Sequence, residues 1–581
     1  MYFNSKGDAE VTYDAIVVGS GISGGWAAKE LAEKGLKTVV LERGRKVEHV
    51  KDYTTAAMEV YDWPGNTEES SPETLKDYPV QRRTGYTTRR GHRHWFVKDT
   101  EHPFVEVKPF NWMRGYHLGG RSITWGRQSY RLSPMDFEAN AKDGIAVDWP
   151  IRYDDMKPWY DYVEKHIGVS GQNEGLAQLP DGVYLPPMEM NCVEDKFKKG
   201  VAENFGGRMV TIGRTAHMTG PLSHSNDSKR GQCQFRNRCM RGCPYGAYFS
   251  SLSSTLPYAE QTGNLTIVCN SIVSEVIYDP ETNLAKGVRV IDAETKETRD
   301  VYAKIIFLNA SAIASASILL NSRSDRFPNG LGNDSGELGH NIMDHHLGVG
   351  ARADFEGFED KYYTGRRPNG IYVPRFVNLD KSSEKKDYLR GFGYQGGASR
   401  QGWYKVIREM KLGKELMESL QTPGEWTMGI GGFGECLPNH ENKMYLDYDN
   451  MDPFGMPMIK IDAEWKENEL TMRKDMASAA AEMLEAAGGK DVRSYDSIDD
   501  NEGKNRAMGI GIHEMGTARM GRDPKTSVLN KFNQIHACKN VYMTDGAAMT
   551  SAGCQNPSLT YMALTARAAN HAVEELKKMN L

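Results

Sequence analysis

The 581-residue sequence contains few cysteines and no long uninterrupted apolar stretch. Eight cysteines are too few and too scattered for a disulfide-rich scaffold. No apolar run approaches the ~20 residues that a membrane-spanning helix needs. The formal net charge of −5 gives no basic surface of the kind that binds nucleic acid. What remains is a large globular protein, long enough to form at least two domains.

The first residues, MYFNSKGDAEVTYDAIVVG, have neither a basic segment nor an apolar core before the first predicted strand. We therefore expect no secretory signal in the chain itself. Periplasmic location, by folded export together with a signal-bearing subunit, is the favoured expectation. A cytoplasmic location is the alternative.

The N-terminal part of the chain predicts a β–α–β unit. An apolar strand leads into GSGISG at residues 19–24, a helix follows, and a second strand ends at Glu42. In such a unit Gly19 makes the tight turn, Gly21 lets the backbone approach a pyrophosphate, and Gly24 allows close helix–strand packing. The pyrophosphate lies at the helix N-terminus, and Glu42 can accept from a ribose hydroxyl. This context predicts dinucleotide binding.

Further along the chain, the hydrophobic pattern indicates a second structural unit. Residues 265–290 alternate like antiparallel strands, and residues 304–309 predict another apolar strand. Residues 355–487 combine short aromatic strands with many glycines and end in a predicted helix, which indicates a sheet-based domain. Residues 558–578 predict an amphipathic helix.

Three cysteines, Cys233, Cys239 and Cys243, lie close together in the run GQCQFRNRCMRGCPYGA. Thiolates spaced C-x5-C-x3-C can converge on one metal centre, and three thiolates match a cluster of three irons. A zinc site with His224 or Cys192 as fourth ligand is one alternative, although the paired C-x2-C spacing of structural zinc is absent. Plain free thiols beside a disulfide are the other alternative. A cluster would make the protein a dehydrogenase with a redox partner rather than an oxidase.

Other motifs follow in a fixed order: HLGGRSITWG at 117–126, LGHNIMDH at 338–345, MGTARMG at 515–521, VYMTDG at 541–546 and NPSLT at 556–560. Together they resemble the motifs of the glucose–methanol–choline (GMC) family of flavoprotein oxidoreductases, nearly from end to end. With the cysteine segment, the chain resembles the iron–sulfur-bearing bacterial branch of that family. This branch includes glucoside 3-dehydrogenases and the large subunits of glucose and gluconate dehydrogenases.

The resemblance implies FAD as the cofactor and a fold of two parts. The first is an α/β, Rossmann-like FAD-binding domain, expected over residues 1–350 and 505–581, with the cluster segment at 231–247. The second is an α+β substrate domain, expected over residues 351–504, with helices and an antiparallel sheet.

The resemblance also assigns cofactor contacts beyond the first glycine loop and Glu42. These are Gly119, Gly120, Ser122, Thr124, Val273, Asp545 and Gly546. In the family the position of Val273 meets the adenine through its backbone, and Asp545 and Gly546 lie near the ribityl chain and the pyrophosphate. Some sugar oxidases of the family carry a histidine at the position of Thr124 and bond it to the flavin, so Thr124 predicts noncovalent FAD.

Two residues match the catalytic positions of the family, His513 and Asn556. Oxidation of an alcohol by a flavin needs a base for the hydroxyl proton and a donor for the developing oxyanion. Imidazole is mostly neutral at working pH, whereas an amide does not accept a proton. We therefore expect His513 to be the base and Asn556 the hydrogen-bond donor. The adjacent His345 and His346 are expected to be packing and loop residues, not metal ligands.

The function implied is a sugar or glycoside dehydrogenase that oxidises a ring hydroxyl, at C3 in preference to C1. Electrons are expected to leave through a [3Fe-4S] cluster to a small subunit and a haem or other one-electron acceptor. An anomeric glucose dehydrogenase and an oxidase that uses O2 are the alternatives. Substrate-domain residues that could recognise a sugar, or be ordinary core residues, are Tyr394, Gln395, Trp403 and Trp426.

Overall fold

The computed structural model describes residues 2–3, 12–58, 75–84, 87–89, 91–222, 230–361, 363, 370–400, 412–421, 424–498 and 506–581. The helices within these residues are α1 (Ile22–Glu33), α2 (Pro134–Asp143), α3 (Tyr153–Ile167), α4 (Cys192–Asn204), α5 (Thr255–Gln261), α6 (Ala312–Asn321), α7 (Gly413–Gln421), α8 (Glu467–Ala486) and α9 (Ser558–Lys577). The strands are β1 (Tyr2–Phe3), β2 (Tyr13–Val18), β3 (Thr38–Leu41), β4 (Val105–Glu106), β5 (Thr211–Ile212), β6 (Leu265–Val268), β7 (Ser271–Asp279), β8 (Leu284–Asp292), β9 (Thr298–Leu308), β10 (Val349–Phe355), β11 (Ile371–Val373), β12 (Phe392–Arg400), β13 (Trp426–Gly434), β14 (Lys443–Met451), β15 (Pro457–Asp462), β16 (Lys490–Asp496), β17 (Gln534–Ile535) and β18 (Cys538–Met543).

The first sheet has a parallel centre, in the order β1-β6-β3-β2-β9-β18, with β17 antiparallel at one edge. A hairpin of β7 and β8 joins it through β9. Strands β2 and β3 read YDAIVV and TVVL, and their buried apolar runs are typical of parallel strands covered on both faces. The expected Rossmann-like α/β fold is therefore confirmed.

Helix α1 packs closely on this sheet and on α9. A Cβ atom at Gly24 would lie 1.9 Å from the carbonyl oxygen of Gly19, so only glycine allows the helix to begin this near the strand. Alanines on the facing sides, among them Ala28 and Ala569, form part of one buried apolar cluster. Small side chains thus bring the N-terminal and C-terminal helices together beside the sheet.

The second sheet is antiparallel, in the order β16-β10-β13-β12-β11-β5. Helix α8 lies across it and buries Met472, Met476 and Met483 completely. Full burial of such a side chain stabilises a fold by about 1.5–3 kcal/mol. The expected substrate domain with an antiparallel sheet is confirmed as a fold class.

The sheet extends beyond the range 351–504 expected for the substrate domain. Its edge strand β5 comes from residues 211–212, and β10 already begins at Val349. Helix α4, which opens at Cys192, also packs on this sheet. The expected domain limits stay a prediction, but the second sheet draws on an earlier part of the chain as well.

Both long helices predicted from the sequence are present, α8 and α9, with ends within one residue of the predicted ones. Among the described helices, none combines the length and the apolar character that crossing a bilayer requires. Two residues named in the sequence analysis, His224 and Trp403, lie outside the described residues.

Candidate active site

A large cavity, about 380 Å³, opens at the carboxyl ends of the parallel strands. The residues that directly follow β2, β3 and β9 line it: Gly19, Glu42 and Asn309. Asp545, two positions beyond β18, lines it as well. Ligands of open α/β sheets bind at this edge, where crossover helices leave the sheet in opposite directions.

The first glycine loop forms the floor of the cavity. Gly19 has φ +89°, and a Cβ atom there would lie 2.4 Å from the carbonyl oxygen of Asn309. Gly21 precedes α1 and offers no side-chain cap, and a Cβ atom on it would meet nothing within 4 Å. The free N–H groups of the first turn of α1 therefore have open space in front of them, which is the arrangement that binds a pyrophosphate.

The second glycine loop joins the first across the cavity. The N–H of Gly119 donates to Oγ of Ser20 at 2.9 Å, and a Cβ atom on Gly120 would lie 3.2 Å from Cα of Gly21. Ser122 and Thr124 follow on the same loop and line the cavity. The residue at 124 is threonine, so this loop carries no imidazole to bond a flavin at that position.

Glu42 and Val273 lie at one end of the cavity. The Glu42 carboxylate is buried and accepts hydrogen bonds from Ser20 and from the N–H of Gly44 at 2.8 Å. Burial raises the pKa of Glu42, and these donors oppose the rise. Ser271, at the start of the strand that carries Val273, donates its N–H to the Glu42 carbonyl oxygen at 2.9 Å. An acidic acceptor and a strand backbone thus meet where a ribose and an adenine would lie.

Two polar groups on the cavity wall fit a nucleotide cofactor. The Nδ2 atom of Asn309 is buried and has no partner within the described residues. Such an orphaned donor is rare in folded proteins and indicates a missing acceptor. Asp545 accepts from Ser315 Oγ at 2.6 Å and from the Ser311 N–H at 3.0 Å, and burial raises its pKa to about 6. The glycine loops, Glu42, Asn309 and Asp545 together fit FAD.

His513 and Asn556 line the same cavity, where Phe433 lies near the His513 ring and Gln395 contacts Asn556. His513 lies in a loop before the MGTARMG motif, and Asn556 lies just before α9. The two predicted catalytic residues, 43 positions apart in the sequence, therefore line one cavity with the predicted cofactor residues.

Asp344 holds the loop that carries His513. Its carboxylate accepts the N–H of Gly511 and the N–H of His513, both at 2.9 Å. Between them Ile512 has φ +59°, a strained conformation for a β-branched residue. Burial, with a contribution from Glu514, raises the pKa of Asp344 to about 7. Two backbone N–H groups thus donate to one buried carboxyl group, and these bonds hold a strained turn beside the base.

The imidazole of His513 contacts a second, fully buried imidazole. Its Nδ1 atom lies 2.9 Å from Nδ1 of His345, and the two rings stand edge to face at 86°. Nε2 of His345 lies 2.8 Å from the carbonyl oxygen of Gly553. Burial lowers the pKa of His513 well below its ordinary range, and His345 and Arg121 lower it further. His513 is therefore neutral at working pH, as a base must be.

His345 was expected to be a packing residue, and the structure corrects this expectation. Its neighbour His346 does pack, with its ring centroid 4.6 Å from that of Trp465 and no partner for either ring nitrogen in the described chain. Within that same part of the molecule, no three His, Cys, Asp or Glu side chains are placed to hold a metal ion. The signal that could have found His345 was the LGHNIMDH motif itself.

Gln395 determines the orientation of Asn556. Its Nε2 group donates a hydrogen bond to Oδ1 of Asn556. Of the other proposed sugar-recognition residues, Tyr394 is buried and donates to the Met476 carbonyl oxygen, and Trp426 is buried in the same apolar core. Those two are core residues, whereas Gln395 belongs to the site.

Of the predicted cofactor residues, Gly24 and Gly119 do not line the cavity. Gly24 packs on Gly19, and a Cβ atom on Gly119 would lie 2.8 Å from Leu252. The remaining ones do line it: Gly19, Gly21, Glu42, Gly120, Ser122, Thr124, Val273, Asp545 and Gly546.

The three clustered cysteines lie together in space. Cys233, Cys239 and Cys243 line a second, small cavity, and all three are free thiols. Burial, with contributions from the two neighbouring thiols, raises the pKa of Cys233 to about 11. His217 lines the same cavity, whereas Cys192, the alternative zinc ligand, opens α4 on the second sheet.

Known proteins resemble this chain along its whole length. The GMC oxidoreductase profiles match residues 210–347 and 438–565, and an FAD binding domain profile matches residues 14–84. The fructose dehydrogenase large subunit of Gluconobacter japonicus is 26% identical over 576 residues, covering 97% of this chain and 98% of that protein. The 2-methyl-1,2-propanediol dehydrogenase of Mycolicibacterium austroafricanum is 26% identical, covering 96% and 94%. The crystal structure of pyridoxine 4-oxidase from Mesorbium loti superposes with a TM-score of 0.59 at 16% identity, covering 97% and 99%.

Proposed function

Because the chain belongs to the GMC oxidoreductase family, FAD-dependent enzymes that oxidise CH–OH groups, we propose that it oxidises a secondary ring hydroxyl of a sugar or glycoside. C3 is the favoured position, and the product is then a 3-keto sugar. The observation that carries the proposal is the meeting of His513, Asn556 and Gln395 in one cavity.

FAD, when bound, supplies the acceptor for the hydride that leaves the substrate carbon. His513 takes the hydroxyl proton, because it is a neutral imidazole at the cavity wall. Asn556 donates from its amide nitrogen to the substrate oxygen as negative charge develops there. Oxidation of the alcohol to a ketone thus removes one hydride and one proton, and the chain provides the site for the proton.

Amide side chains in the cavity suit a polyhydroxylated substrate. Gln395 and Gln128 both line the cavity, and an amide can donate to and accept from a hydroxyl. Phe433 adds an apolar surface against which a pyranose ring can pack. The similarity to a fructose dehydrogenase large subunit supports a sugar, and the similarity to a propanediol dehydrogenase supports a CH–OH donor in general.

A blocked anomeric carbon separates the two possible positions of oxidation. Methyl glucoside cannot be oxidised to a lactone, yet it keeps its C3 hydroxyl. We expect purified holoenzyme to reduce a dye acceptor with methyl glucoside and lactose, and to form a 3-keto product identifiable by NMR. Turnover of free glucose to the lactone, with no reaction of methyl glucoside or lactose, would show anomeric oxidation instead.

We further propose that Cys233, Cys239 and Cys243 bind a [3Fe-4S] cluster, in which each thiolate binds a different iron. The common cavity of the three thiols supports this. His217 supports it too, because it is buried in that cavity and neither ring nitrogen has a partner in the described chain. Thiolates and sulfides of a cluster would accept from this ring.

The wall between the two cavities supports an electron path from flavin to cluster. Arg127 lines the flavin cavity, and its guanidinium lies 5.4 Å from the ring centroid of Tyr248, which lines the cysteine cavity. The carbonyl oxygen of Arg127 accepts from Ala216, and the Met218 carbonyl oxygen accepts from the N–H of Cys233, both at 2.9 Å. A route of two hydrogen bonds and residues 216–218 therefore leads from Arg127 in the first cavity to Cys233 in the second.

A partner follows from this proposal, since electrons that leave singly need a one-electron acceptor. We propose a small subunit together with a haem or a similar acceptor, and periplasmic location by export with that subunit. Co-purification from the native organism tests this. A lone, fully active chain recovered from the cytoplasm would contradict co-export, and hydrogen peroxide formed in step with substrate oxidation would identify an oxidase.

A further inference from the structure

The hydrogen bonds around His345 determine which ring nitrogen of His513 carries the proton. Nε2 of His345 lies 2.8 Å from the Gly553 carbonyl oxygen, and a carbonyl oxygen can only accept. Nε2 of His345 is therefore protonated. His345 is completely buried, and burial lowers its pKa to about 4, so the ring is neutral and has no second proton. Nδ1 of His345 is consequently a lone-pair acceptor.

The acceptor faces Nδ1 of His513 at 2.9 Å, so that nitrogen must be the donor. No other hydrogen bond to the His513 ring is found in the described parts of the chain, and Asp344 contacts only backbone N–H groups of the loop. A neutral imidazole has one proton, which leaves Nε2 of His513 unprotonated. His513 lines the cavity whereas the buried His345 does not, so the unprotonated nitrogen is the one on the cavity side.

We propose that His345 is a positioning residue that holds His513 in the Nδ1–H tautomer, so that Nε2 presents its lone pair to the substrate hydroxyl. The inference rests on the proposed role of His513 as base. It adds a chain of two hydrogen bonds, in which His513 donates to His345 and His345 donates to the Gly553 carbonyl oxygen. The donor and acceptor roles are fixed because the carbonyl oxygen can only accept. Without it, His513 can adopt the Nε2–H tautomer, which donates a proton where catalysis needs an acceptor.

Three variants separate this role from simple packing. His345→Asn places a carbonyl oxygen near the position of Nδ1 and keeps an acceptor for His513. His345→Leu fills a similar volume with no acceptor. His346→Leu is the matched control, because it removes the neighbouring buried histidine, whose ring packs on Trp465 and whose ring nitrogens have no hydrogen-bond partner in the described chain.

The main measurement is nitrogen-15 NMR of histidine-labelled holoenzyme, in which protonated and unprotonated ring nitrogens differ in chemical shift. The His513 resonances are identified by their absence in His513→Gln. We expect Nδ1–H in the wild type, in His345→Asn and in His346→Leu, and a mixture or Nε2–H in His345→Leu. A wild-type His513 protonated at Nε2 would overturn the proposal, whatever the activity.

Kinetics provide the second measurement. We expect His345→Leu to lower kcat at least tenfold with KM within twofold, since a wrongly protonated base binds substrate but does not react. His345→Asn should recover most of the loss. Wild-type kcat in folded, FAD-containing His345→Leu would contradict the proposal. If His345→Leu does not fold, the NMR measurement of the His513 tautomer in the wild type and in His345→Asn still tests the proposal. Full activity of His513→Gln would instead show that His513 is not the base.

Discussion

The amide nitrogen of Gln395 donates a hydrogen bond to Oδ1 of Asn556, across a sequence separation of 161 residues. Because this bond occupies the acceptor atom of Asn556, its own amide N–H groups are left to face the cavity. An unrestrained asparagine could turn either its oxygen or its nitrogen towards the substrate. The strand that carries Gln395 therefore selects the orientation in which Asn556 stabilises an oxyanion.

Replacing Asn556 by alanine should lower kcat by about 10²–10³, the usual cost of one oxyanion donor. Asn556→Asp should be slower still, because a carboxylate opposes the developing negative charge. Gln395→Leu should have a smaller effect, since Asn556 then adopts both orientations. The rate of flavin reduction at saturating sugar, measured by stopped flow, tests this order. An unchanged rate in Asn556→Ala would show that another group holds the oxygen.

His513→Ala should slow flavin reduction by about 10²–10⁴, the contribution of one well-placed base. FAD should stay bound, because the glycine loops, Glu42 and Asp545 are unchanged in this variant. Stopped-flow bleaching of the flavin band measures the rate, and the absorbance ratio of flavin to protein measures occupancy. Bleaching at the wild-type rate would remove His513 from the mechanism.

Serine at Cys233, Cys239 or Cys243 should leave flavin reduction by substrate intact and stop electron delivery to a one-electron acceptor. About three irons per chain are expected in the wild type, and fewer in the variants. Cys269→Ser is the matched control, because Cys269 is a free thiol that does not line the cysteine cavity. Iron analysis and electron paramagnetic resonance measure whether the cluster is present. A fully active protein without iron, prepared without oxygen, would refute the cluster.

The stability that the buried Asp344 proton contributes should decrease as pH rises from about 4 to about 7. Its pKa is about 7 in the fold but about 3.9 in an unfolded chain, so between pH 4 and 7 only the folded state keeps the proton. The free energy of unfolding therefore falls across this window, by up to about 4 kcal/mol. Asp344→Asn has no such proton. The thermal midpoint of the wild type minus that of the variant should decline from pH 4 to 7, and parallel profiles would contradict the assignment.

Thr124 should leave the flavin unattached to the protein. Acid precipitation of the holoenzyme is therefore expected to release all of the FAD into the supernatant, where its fluorescence is measured. Flavin that stays with the washed precipitate would indicate a covalent bond formed by another residue.

Local sequence patterns predicted much of the fold, because they depend on neighbouring residues. The GSGISG loop and its flanking strands, and the helices α8 and α9, are set by turn glycines and by periodic apolar residues. The edge strand β5 was missed because it has only two residues and pairs with a strand about 160 positions later. Its place depends on tertiary pairing and not on local preference.

The candidate site shows the same difference between local sequence patterns and long-range contacts. His513 and Asn556 could be predicted because each lies in a recognisable motif. The contacts of His345 with His513 and of Gln395 with Asn556 could not be predicted, since each joins residues more than 160 positions apart, although His345 lies in the LGHNIMDH motif and Gln395 is a candidate for sugar recognition in the sequence. Adjacent histidines also give no local sign of which one faces the base and which one packs against Trp465.

The order of the parallel strands has a consequence for biosynthesis. Strand β9 pairs with β2 on one side and with β18 on the other. The glycine loop that follows β2 and the residues that follow β18 are therefore neighbours, although they are far apart in the sequence. Asp545 and Gly546 leave the ribosome long after Gly19, because they follow it by more than 500 residues. The nascent chain thus lacks a complete nucleotide cavity until the Asp545–Gly546 segment has been synthesised and β18 has joined β9, so we expect FAD to bind only after that step.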